Sequence, residues 1–431
     1  MKFSTISRIA MAAGVSAAIA FGTTACIRDY TADYVYSVSN STGQVSAYAV
    51  DYQSGVLTQI SGSPFGTNLT NPSTLVAAPN GKTIYVIGGS QNSQVQAMPV
   101  GSDGKLYGGT MVSLPAGGTY PTAAAIDSTG TYLYVAYTYE NGYTTVSPGP
   151  GGISIFPINS DGSLGTGSNV NVGNNPVAIA VSVPTCTTTP ATGSNSSPNC
   201  VVVGTGSSTN NGTNQSFVYV VDAETAAANP TILGFVQTPG TGALTQVPAA
   251  DFPVSSGLGG AKAGVSPSGI AIDPTGKYVY VTDKAQNEVY GYAISNNTTG
   301  GLTGLVSSPY ATGQYPVAIT IEPRGKYVYV ANYNSSTVSS YSLNLANGSL
   351  GASAGSNFAT TTGPTCVTVE PALGIYLYTS DYLDASISGG QLSPNTGGLS
   401  SVQTSYFPST AQPICVVSVS NGAHAVQETQ P

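Results

Sequence analysis

The stretch Pro316 to Val338 reads PVAITIEPRGKYVYVANYNSSTV and combines four features. These are a proline-led apolar run, an acidic-Pro-x-Gly-Lys turn, an alternating Tyr-Val-Tyr-Val run, and a polar segment that leads into a second alternating run. Alternation with a period of two, bounded by turn residues, is typical of half-buried β-strands. The same pattern begins at Pro267, 49 residues earlier, so the chain contains a repeat.

The leading proline of this pattern recurs along most of the chain. Successive prolines are separated by 49, 55, 91, 49, 48 and 49 residues, and a Thr/Ser/Asn-rich insertion at about 184–216 accounts for most of the longest interval. A repeat of this length made of short strands predicts a β-propeller. The leading prolines are Pro72, Pro121, Pro176, Pro267, Pro316, Pro364 and Pro413.

Two incomplete repeats at the ends of the chain together make one more unit. Tyr34 to Val38 matches the second strand of a repeat without a first strand before it, whereas Pro413 to Val419 matches a first strand. We therefore predict an all-β, seven-bladed β-propeller of four-stranded blades, closed by N- and C-terminal strands that share one blade. The propeller domain is predicted to span 33–427, followed by a tail at 428–431.

The first 25 residues have the composition of an export signal. Lys2 and Arg8 form a basic start, and Ile9 to Phe21 is an apolar run too short to span a bilayer. Thr-Thr-Ala-Cys, ending at Cys26, resembles a bacterial lipobox, in which the cysteine is lipidated; ordinary secretory cleavage before the cysteine is the alternative. We predict a signal peptide at 1–25, a lipidated tether at 26–32, and an exported protein at the outer membrane, at the cell surface or in the periplasm.

Composition and charge limit the partners of the protein. Charged residues make up 6% of the chain, against about 25% in an average globular domain. Loss of the first 25 residues leaves eight basic and 18 acidic residues, a net charge of −10. Nucleic acid and anionic membrane surfaces repel such a chain. We therefore expect no nucleic-acid partner and membrane contact through the lipid anchor only, and we also expect a monomer.

Four cysteines remain beside Cys26, in an exported and therefore disulfide-permissive setting. Cys186 and Cys200 bracket the insertion and are predicted to form a disulfide. Cys366 and Cys415 each lie two residues after a leading proline, in adjacent innermost strands. They are either two buried small thiols or a bridge between blades.

Few residues of the sequence suit catalysis. The single histidine, His424, lies near the C-terminus, so neither a multi-histidine metal site nor a Ser-His-Asp arrangement can form within the blades. Arg324 lies in a variable turn and is expected to be exposed. We expect no metal and no cofactor. Four acidic residues six positions after a leading proline are expected to accept backbone N–H groups in tight turns rather than to form a cation ring, and they are Asp127, Asp273, Glu322 and Glu370.

A second polar position recurs at the end of the second strand, around the mouth of the central channel. Propellers commonly bind ligands there, although Asp and Asn at strand ends also serve as local caps. We predict a ligand-binding face and consider two of its members, Asp283 and Asp381, as candidates for a catalytic base. The predicted binding residues are Asp222, Asp283, Asn332, Tyr333, Asp381 and Tyr382.

The repeat at Pro316 to Val338 resembles the lactonase-family seven-bladed propellers, relatives of 6-phosphogluconolactonase and of carboxymuconate cycloisomerase. It is also similar to the Tyr-Val-Thr-Asn repeat propellers of cell surfaces, through Tyr280 to Asp283. The resemblance implies action on sugar-acid or muconate lactones, with histidine, arginine and glutamate at the channel mouth. The histidine and arginine positions have no counterpart in this chain.

Three functions follow as alternatives. The first is a module that binds a glycan, a cell-wall component or a protein partner at the mouth face. The second is a lactonase that opens a neutral or sugar-acid lactone with a carboxylate-activated water. A phosphorylated substrate is disfavoured because the protein is strongly negative. The third is a structural component of the cell envelope.

Overall fold

The computed structural model describes residues 31–140, 142–188, 212–223, 230–252, 260–294 and 299–422. Within these ranges the chain forms seven antiparallel sheets, each built on four strands, whose inner strands pack side by side in a ring. The prediction of an all-β, seven-bladed propeller is therefore confirmed. No helix in these ranges is long and apolar enough to cross a membrane. The predicted signal peptide, Cys26, Cys200 and the residues after Gly422 lie outside the described residues.

Each blade runs from an inner strand at the central channel to an outer edge strand. Blade 1 is Pro72–Ala77, Thr83–Gly88, Gln94–Pro99 and Met111–Ser113; blade 2 is Thr119–Ile126, Tyr132–Tyr139, Gly151–Pro157 and Ser168–Val172; blade 3 is Pro176–Val181, Gly212–Asp222, Thr231–Gln237 and Leu244–Gln246. Blade 4 is Pro267–Ile272, Tyr278–Asp283, Glu288–Ile294 and Leu302–Gly304; blade 5 is Pro316–Ile321, Tyr327–Asn332, Thr337–Leu343 and Leu350–Ala359; blade 6 is Pro364–Val369, Tyr376–Asp381, Ser386–Leu392 and Leu399–Pro408. Blade 7 is Pro413–Ser420, Thr31–Ser39, Gln44–Asp51 and Leu57–Gln59.

Short elements complete some of the blades. Two-residue or four-residue strands pair at the edges of blades 3, 4 and 7, and two single-turn 3-10 helices lie between strands. The short strands are Thr185–Thr188, Ala261–Lys262, Tyr310–Ala311 and Phe65–Gly66, and the 3-10 helices are Pro115–Gly117 and Ala249–Asp251.

Blade 7 is assembled from both ends of the chain, as predicted. Thr31–Ser39 pairs antiparallel with Pro413–Ser420, and Tyr34 lies opposite Val419. The inner strand of blade 7 also packs against the inner strands of blades 6 and 1. The ring is therefore closed by strand pairing between residues that are almost 400 positions apart in the chain.

A disulfide joins the inner strands of blades 6 and 7. It links Cys366 and Cys415, whose Cα atoms are 4.8 Å apart and which are separated by 49 residues. Of the two arrangements that the sequence left open, the structure shows the bridge. The C-terminal strand of the closing blade is therefore held covalently to its neighbour.

The acidic residues that follow the inner strands organise the turns to the second strands. Asp273 accepts backbone N–H groups from Thr275, Lys277 and Tyr278. The other three acidic residues accept two or three backbone N–H groups each, and all four are at most 5% exposed. The expectation that these carboxylates serve turns is confirmed.

One tyrosine of each second strand, which we call the bridging tyrosine, connects its blade to the next one. In blade 5, the hydroxyl of Tyr329 donates to the carbonyl of Gly397, 3.0 Å away in the turn between the third and fourth strands of blade 6. An equivalent bond of 2.6–3.1 Å leaves every blade, including the two on either side of the closure. The seven pairs are Tyr36–Gly104, Tyr85–Gly162, Tyr134–Gly242, Tyr219–Gly300, Tyr280–Gly348, Tyr329–Gly397 and Tyr378–Gly55.

Only glycine fits at the accepting position of these bonds. All seven glycines have φ between +66° and +84°, a region that side chains with a Cβ rarely adopt. A Cβ on Gly397 would also lie 2.1 Å from Cδ1 of Tyr327, two residues before the bridging tyrosine of blade 5. The donating phenols are buried, and burial raises the pKa of Tyr329 and of its equivalents above the ordinary value for tyrosine.

Removing one of these contacts should destabilise the whole ring. Tyr329→Phe is expected to lower the free energy of unfolding by about 1 kcal/mol, because the buried hydrogen bond to Gly397 is lost. Gly397→Ala is expected to cost more, about 3 kcal/mol, because the new Cβ overlaps the ring of Tyr327. Urea unfolding measures both. Tyr406→Phe, at a tyrosine that is 62% exposed, is the control, and equal stabilities of the two Tyr→Phe variants would contradict the role of the bond.

The disulfide should contribute strongly to stability. In the chain-entropy picture, closing a loop of 49 residues stabilises the folded state by about 4 kcal/mol. Cys366→Ala with Cys415→Ala is expected to lose most of this free energy in urea unfolding. Cys366→Ala alone also breaks the bridge, so it should be destabilised nearly as much and should show one additional free thiol. Wild-type stability in the double variant would refute the contribution.

Candidate functional site

The two ends of the central channel differ in what the strands bring to them. At one end, which we call the mouth face, each inner strand begins and each second strand ends; Pro316 lies opposite Asn332 and Pro364 opposite Asp381. The turns that follow the inner strands lie at the other end, which we call the turn face. The chain enters its first described strand, at Thr31, on the turn face.

In blades 3 and 4 the predicted mouth carboxylates cap loops of the backbone. Asp283 is fully buried and accepts N–H groups from Val265 and Ser266, ahead of its inner strand, and from Ala285 and Gln286, after its second strand. Asp222, 1% exposed, accepts the N–H groups of Asn174 and Asn175. These carboxylates thus hold the loops of the mouth face in place.

In blade 6 side-chain hydroxyls take the place of backbone donors. Asp381 accepts hydrogen bonds from the hydroxyls of Thr361, Thr379 and Ser388 at 2.7, 2.8 and 2.6 Å. The side chain is fully buried. Burial raises the pKa of Asp381 to about 6, although the hydrogen bonds act in the opposite direction. A carboxylate with such a pKa is suited to exchange a proton near neutral pH.

Asn332 has a similar position in blade 5. Its carbonyl oxygen accepts from the hydroxyl of Thr312 at 3.0 Å, and its amide donates to Ser339 at 2.9 Å. It is fully buried, like Asp283 and Asp381. Direct ligand contact by the four predicted Asp and Asn residues stays a prediction, and it would require them to exchange internal hydrogen bonds for bonds to the ligand.

The exposed mouth face at blades 4 to 6 is aromatic. Tyr315 directly precedes Pro316, is 38% exposed, and has its ring centroid 6.1 Å from that of Tyr333. The Nζ of Lys284 lies 5.7 Å from the centroid of Tyr315. Leu383 is 57% exposed, and a Cβ on Gly363 would lie 3.0 Å from the ring of Tyr333 and 3.1 Å from the side chain of Leu383. We call Lys284, Tyr315, Tyr333 and Leu383 the mouth patch.

Two tyrosines of the mouth face have an unusual backbone. Tyr315 has φ of 58° and Tyr120 has φ of 56°, each directly before a leading proline. In blade 6 the equivalent position is Gly363, with φ of 74°. A left-handed conformation in a residue with a bulky side chain costs on the order of 1–3 kcal/mol and often marks a functional position. Asn71 and Gln412, which also directly precede leading prolines, have φ of 46° and 54°. The left-handed conformation is therefore a property of the repeat, and only the side chain at this position varies.

Blade 2 carries a second aromatic pair. The rings of Tyr120 and Tyr139 meet edge to face, with their centroids 5.7 Å apart. Tyr382, in blade 6, is half-buried and its backbone N–H donates to the carbonyl of Gly363. Sequence reasoning named Tyr333 and Tyr382 but missed Tyr120 and Tyr315. The residue before the leading proline differs from repeat to repeat, so only the contact of its ring with a second tyrosine ring, seen in the structure, singled it out.

The one arginine considered from the sequence does not reach the mouth face. The Nε of Arg324 lies 2.8 Å from Oε2 of Glu322, and its Nη2 donates to the carbonyl of Gly374 in blade 6 at 3.0 Å. Its side chain is 14% exposed, so the expectation of an exposed arginine is wrong, because the ion pair and the carbonyl hold it between two blades. The described residues contain no group of three or more His, Cys, Asp or Glu side chains that could hold a metal ion.

The family model described as "Lactonase, 7-bladed beta-propeller" matches residues 29–179 and 212–369. The chain belongs to the lactonase family of seven-bladed β-propellers. Among solved structures, this lactonase-family propeller is similar to a presumed 6-phosphogluconolactonase from Bacteroides uniformis, with 17% identity, a TM-score of 0.66, and coverage of 90% of this chain and 100% of that one. No curated protein sequence matches the chain.

Two further structures have the same fold. A presumed 6-phosphogluconolactonase from Bacteroides fragilis has 19% identity and a TM-score of 0.65, covering 91% of this chain and 99% of that one. A periplasmic gluconolactonase from Pseudomonas aeruginosa has 17% identity and a TM-score of 0.64, covering 90% and 99%. At these identities the likeness shows the fold, and the family membership rests on the family model.

The buried state of Asp381 predicts a dependence of stability on pH. Its pKa is about 6 in the folded protein against an ordinary value of 3.8, so the folded state prefers the protonated carboxyl. The contribution of Asp381 to the free energy of unfolding is about 3 kcal/mol. It is fully present below pH 4 and is lost as the pH rises through 6. Urea unfolding between pH 4 and 7 should show a steeper fall for the wild type than for Asp381→Asn. Parallel plots of unfolding free energy against pH for the wild type and Asp381→Asn would contradict the raised pKa of Asp381.

Proposed function

We propose that this lactonase-family propeller is exported, is anchored by a lipid on Cys26 at the outer membrane or cell surface, and binds a glycan through its mouth face. The observation that carries the proposal is the mouth patch. Two tyrosine rings and one ammonium group lie together at the surface there, and the Tyr315 side chain is 38% exposed. The binding surface therefore consists of side chains that are not needed to hold the blades together.

The chemistry of the patch suits a sugar better than an anion or an apolar ligand. Tyrosine presents an apolar ring face and a polar hydroxyl, which matches the C–H faces and hydroxyl groups of a pyranose. Lys284 supplies one cation, already placed over the ring of Tyr315. The net charge of −10 after export opposes the approach of a polyanion. A neutral or weakly charged glycan of the cell envelope is the ligand that fits these properties.

The position of the predicted tether supports access to this face. Thr31 lies on the turn face, and five Cα–Cα steps separate it from Cys26. Such a segment spans at most about 18 Å. A lipid on Cys26 would therefore keep the turn face close to the membrane and direct the mouth patch away from it, toward glycans of the envelope.

Removing a ring of the patch should weaken glycan binding. Tyr315→Ala and Tyr333→Ala are each expected to weaken retention on insoluble peptidoglycan by about tenfold or more, because a stacking contact with the sugar is lost. The same loss is expected for soluble N-acetylglucosamine oligomers, whose binding is measured by calorimetry. A tenfold loss corresponds to about 1.4 kcal/mol of binding free energy. Tyr382→Ala is expected to have a smaller effect, because this ring lies outside the mouth patch.

The matched controls are tyrosines outside the mouth patch. Tyr406→Ala and Tyr107→Ala remove rings that are 62% and 53% exposed, and both should bind like the wild type. Equal loss in patch and control variants would show nonspecific adhesion. Wild-type binding by Tyr315→Ala with Tyr333→Ala would refute the proposal.

Lactone hydrolysis is the second candidate, favoured by the family membership and by the pKa of Asp381 near 6. A buried carboxylate of this kind could activate a water for attack on a lactone carbonyl. A panel of neutral lactones, gluconolactone included, tests it. Turnover by the wild type that is lost in Asp283→Asn with Asp381→Asn, in a protein that remains folded, would favour the lactonase; absence of turnover across the panel would remove it.

A further inference from the structure

Two buried carboxyl groups lie against each other where the closing blade meets blade 6. Asp33 belongs to the second strand of blade 7, and Glu370 to the turn after the inner strand of blade 6; both are fully buried. The carboxyl group of Asp33 lies at hydrogen-bonding range of the Glu370 side chain, and the backbone of Ala372 also approaches it. No side chain of the described residues donates a hydrogen bond to either oxygen of Asp33.

The oxygens of Glu370 are already engaged. They accept the backbone N–H groups of Leu373, Ile375 and Tyr376, as expected for the ionised form of a turn carboxylate. Asp33 therefore faces a carboxylate, and the backbone of Ala372 opposes the rise in its pKa without reversing it. Two ionised carboxylates in contact repel each other strongly when they are buried, and a proton on one of them converts the repulsion into a hydrogen bond.

The equivalent positions in other blades carry different chemistry. The residue three positions before the bridging tyrosine is Asp33 in blade 7, whereas it is an exposed lysine in three other blades, namely Lys82, Lys277 and Lys326. The turn carboxylate of blade 5, Glu322, has the guanidinium of Arg324 beside it. An acidic residue paired with a buried carboxylate is thus specific to the junction of blades 6 and 7 among these positions.

We propose that Asp33 and Glu370 share one proton, and that this proton helps to hold the closing blade of the ring against blade 6. Asp33 is the donor and Glu370 the acceptor. The pair lies on the turn face, where Asp33 is opposite Ser420 in the pairing between the two ends of the chain. The disulfide joins the same two blades nearer the mouth face, next to the start of their inner strands. Closure at this junction thus has a covalent link at one end and a protonated link at the other.

The sign of the pH effect follows from the burial. Burial and the neighbouring Glu370 raise the pKa of Asp33 to about 10, from an ordinary value of 3.8. The other titratable groups facing the pair are Tyr376, Tyr378 and Asp51, which are acids or phenols and do not favour an ionised Asp33. The folded protein therefore holds one proton more than the unfolded chain between about pH 4 and 10. The contribution of Asp33 to the free energy of unfolding is fully present below pH 4 and decreases as the pH rises toward 10.

Urea unfolding of the full chain between pH 6.5 and 9 tests the proposal. In this window the unfolding equilibrium constant of the wild type should rise tenfold more per pH unit than that of Asp33→Asn, which carries no titratable group there. Asp273→Asn, at a turn carboxylate that accepts only from its own turn, is the matched control and should keep the wild-type slope. Parallel curves for wild type and Asp33→Asn would overturn the proposal.

Two further measurements keep the test decisive if Asp33→Asn does not fold. Unfolding of the wild type at pH 8 in weak buffer should release about one proton per chain from this pair, and Glu370→Gln should lower that release; no release in the wild type overturns the shared proton. Hydrogen exchange locates the effect. After correction for the intrinsic exchange rate at each pH, the wild type at pH 9 should have lost more protection relative to pH 7 in Thr31–Ser39 and Pro413–Ser420 than in the inner strand of blade 4. Uniform loss would contradict a role in closure.

Discussion

The hydrogen bond from a buried tyrosine hydroxyl to a glycine carbonyl of the next blade is the interaction on which the ring depends. The accepting residue in the outer turn of the neighbouring blade must be glycine, because its φ is positive and a Cβ there would overlap a side chain of the donating strand. That side chain is an aromatic ring in six blades and Thr83 in blade 1. The bond continues across the closure, from Tyr378 to Gly55 and from Tyr36 to Gly104. No blade is therefore stabilised by its own contacts alone, and a change at one junction is transmitted as a loss of stability of the whole ring.

The need of the scaffold for certain side chains explains which other positions can carry a function. The bridging tyrosines, the turn carboxylates and the Asp and Asn residues at the ends of second strands all make hydrogen bonds within the scaffold. Positions free to vary are those beside these anchors, directly before the leading proline and directly after the strand-end residue. Tyr315 and Tyr333 occupy two such positions in blade 5 and meet at the surface. The mouth patch is thus held in a fixed geometry by neighbours that are themselves fully buried.

The fold could be predicted from the sequence because its signals are local and repeated. Period-two alternation, a proline at each inner strand and the complementary fragments at the two ends needed no knowledge of contacts. The site was harder to predict because its contacts are not local. The partner of each bridging tyrosine lies 68 or more residues away, and Arg324 is held by a carbonyl 50 residues downstream. Asp283 is covered by loops on both sides of it. Strand-end polarity alone could not distinguish a cap from a ligand contact, and Tyr315 follows no repeated pattern.

The junction of blades 6 and 7 differs chemically because of the way in which the chain closes. In blades 1 to 6 the inner and second strands are joined by the chain, and in four of those blades a carboxylate organises the connecting turn. In blade 7 these strands come from opposite ends of the chain, so their pairing has to be supported from outside the blade. Blade 6 supplies that support through Cys366 near one end of the inner strands and through Glu370 at the other. A buried acidic pair is unfavourable when both groups are ionised. With a single shared proton, the pair instead forms a hydrogen bond at the junction where the two ends of the chain meet.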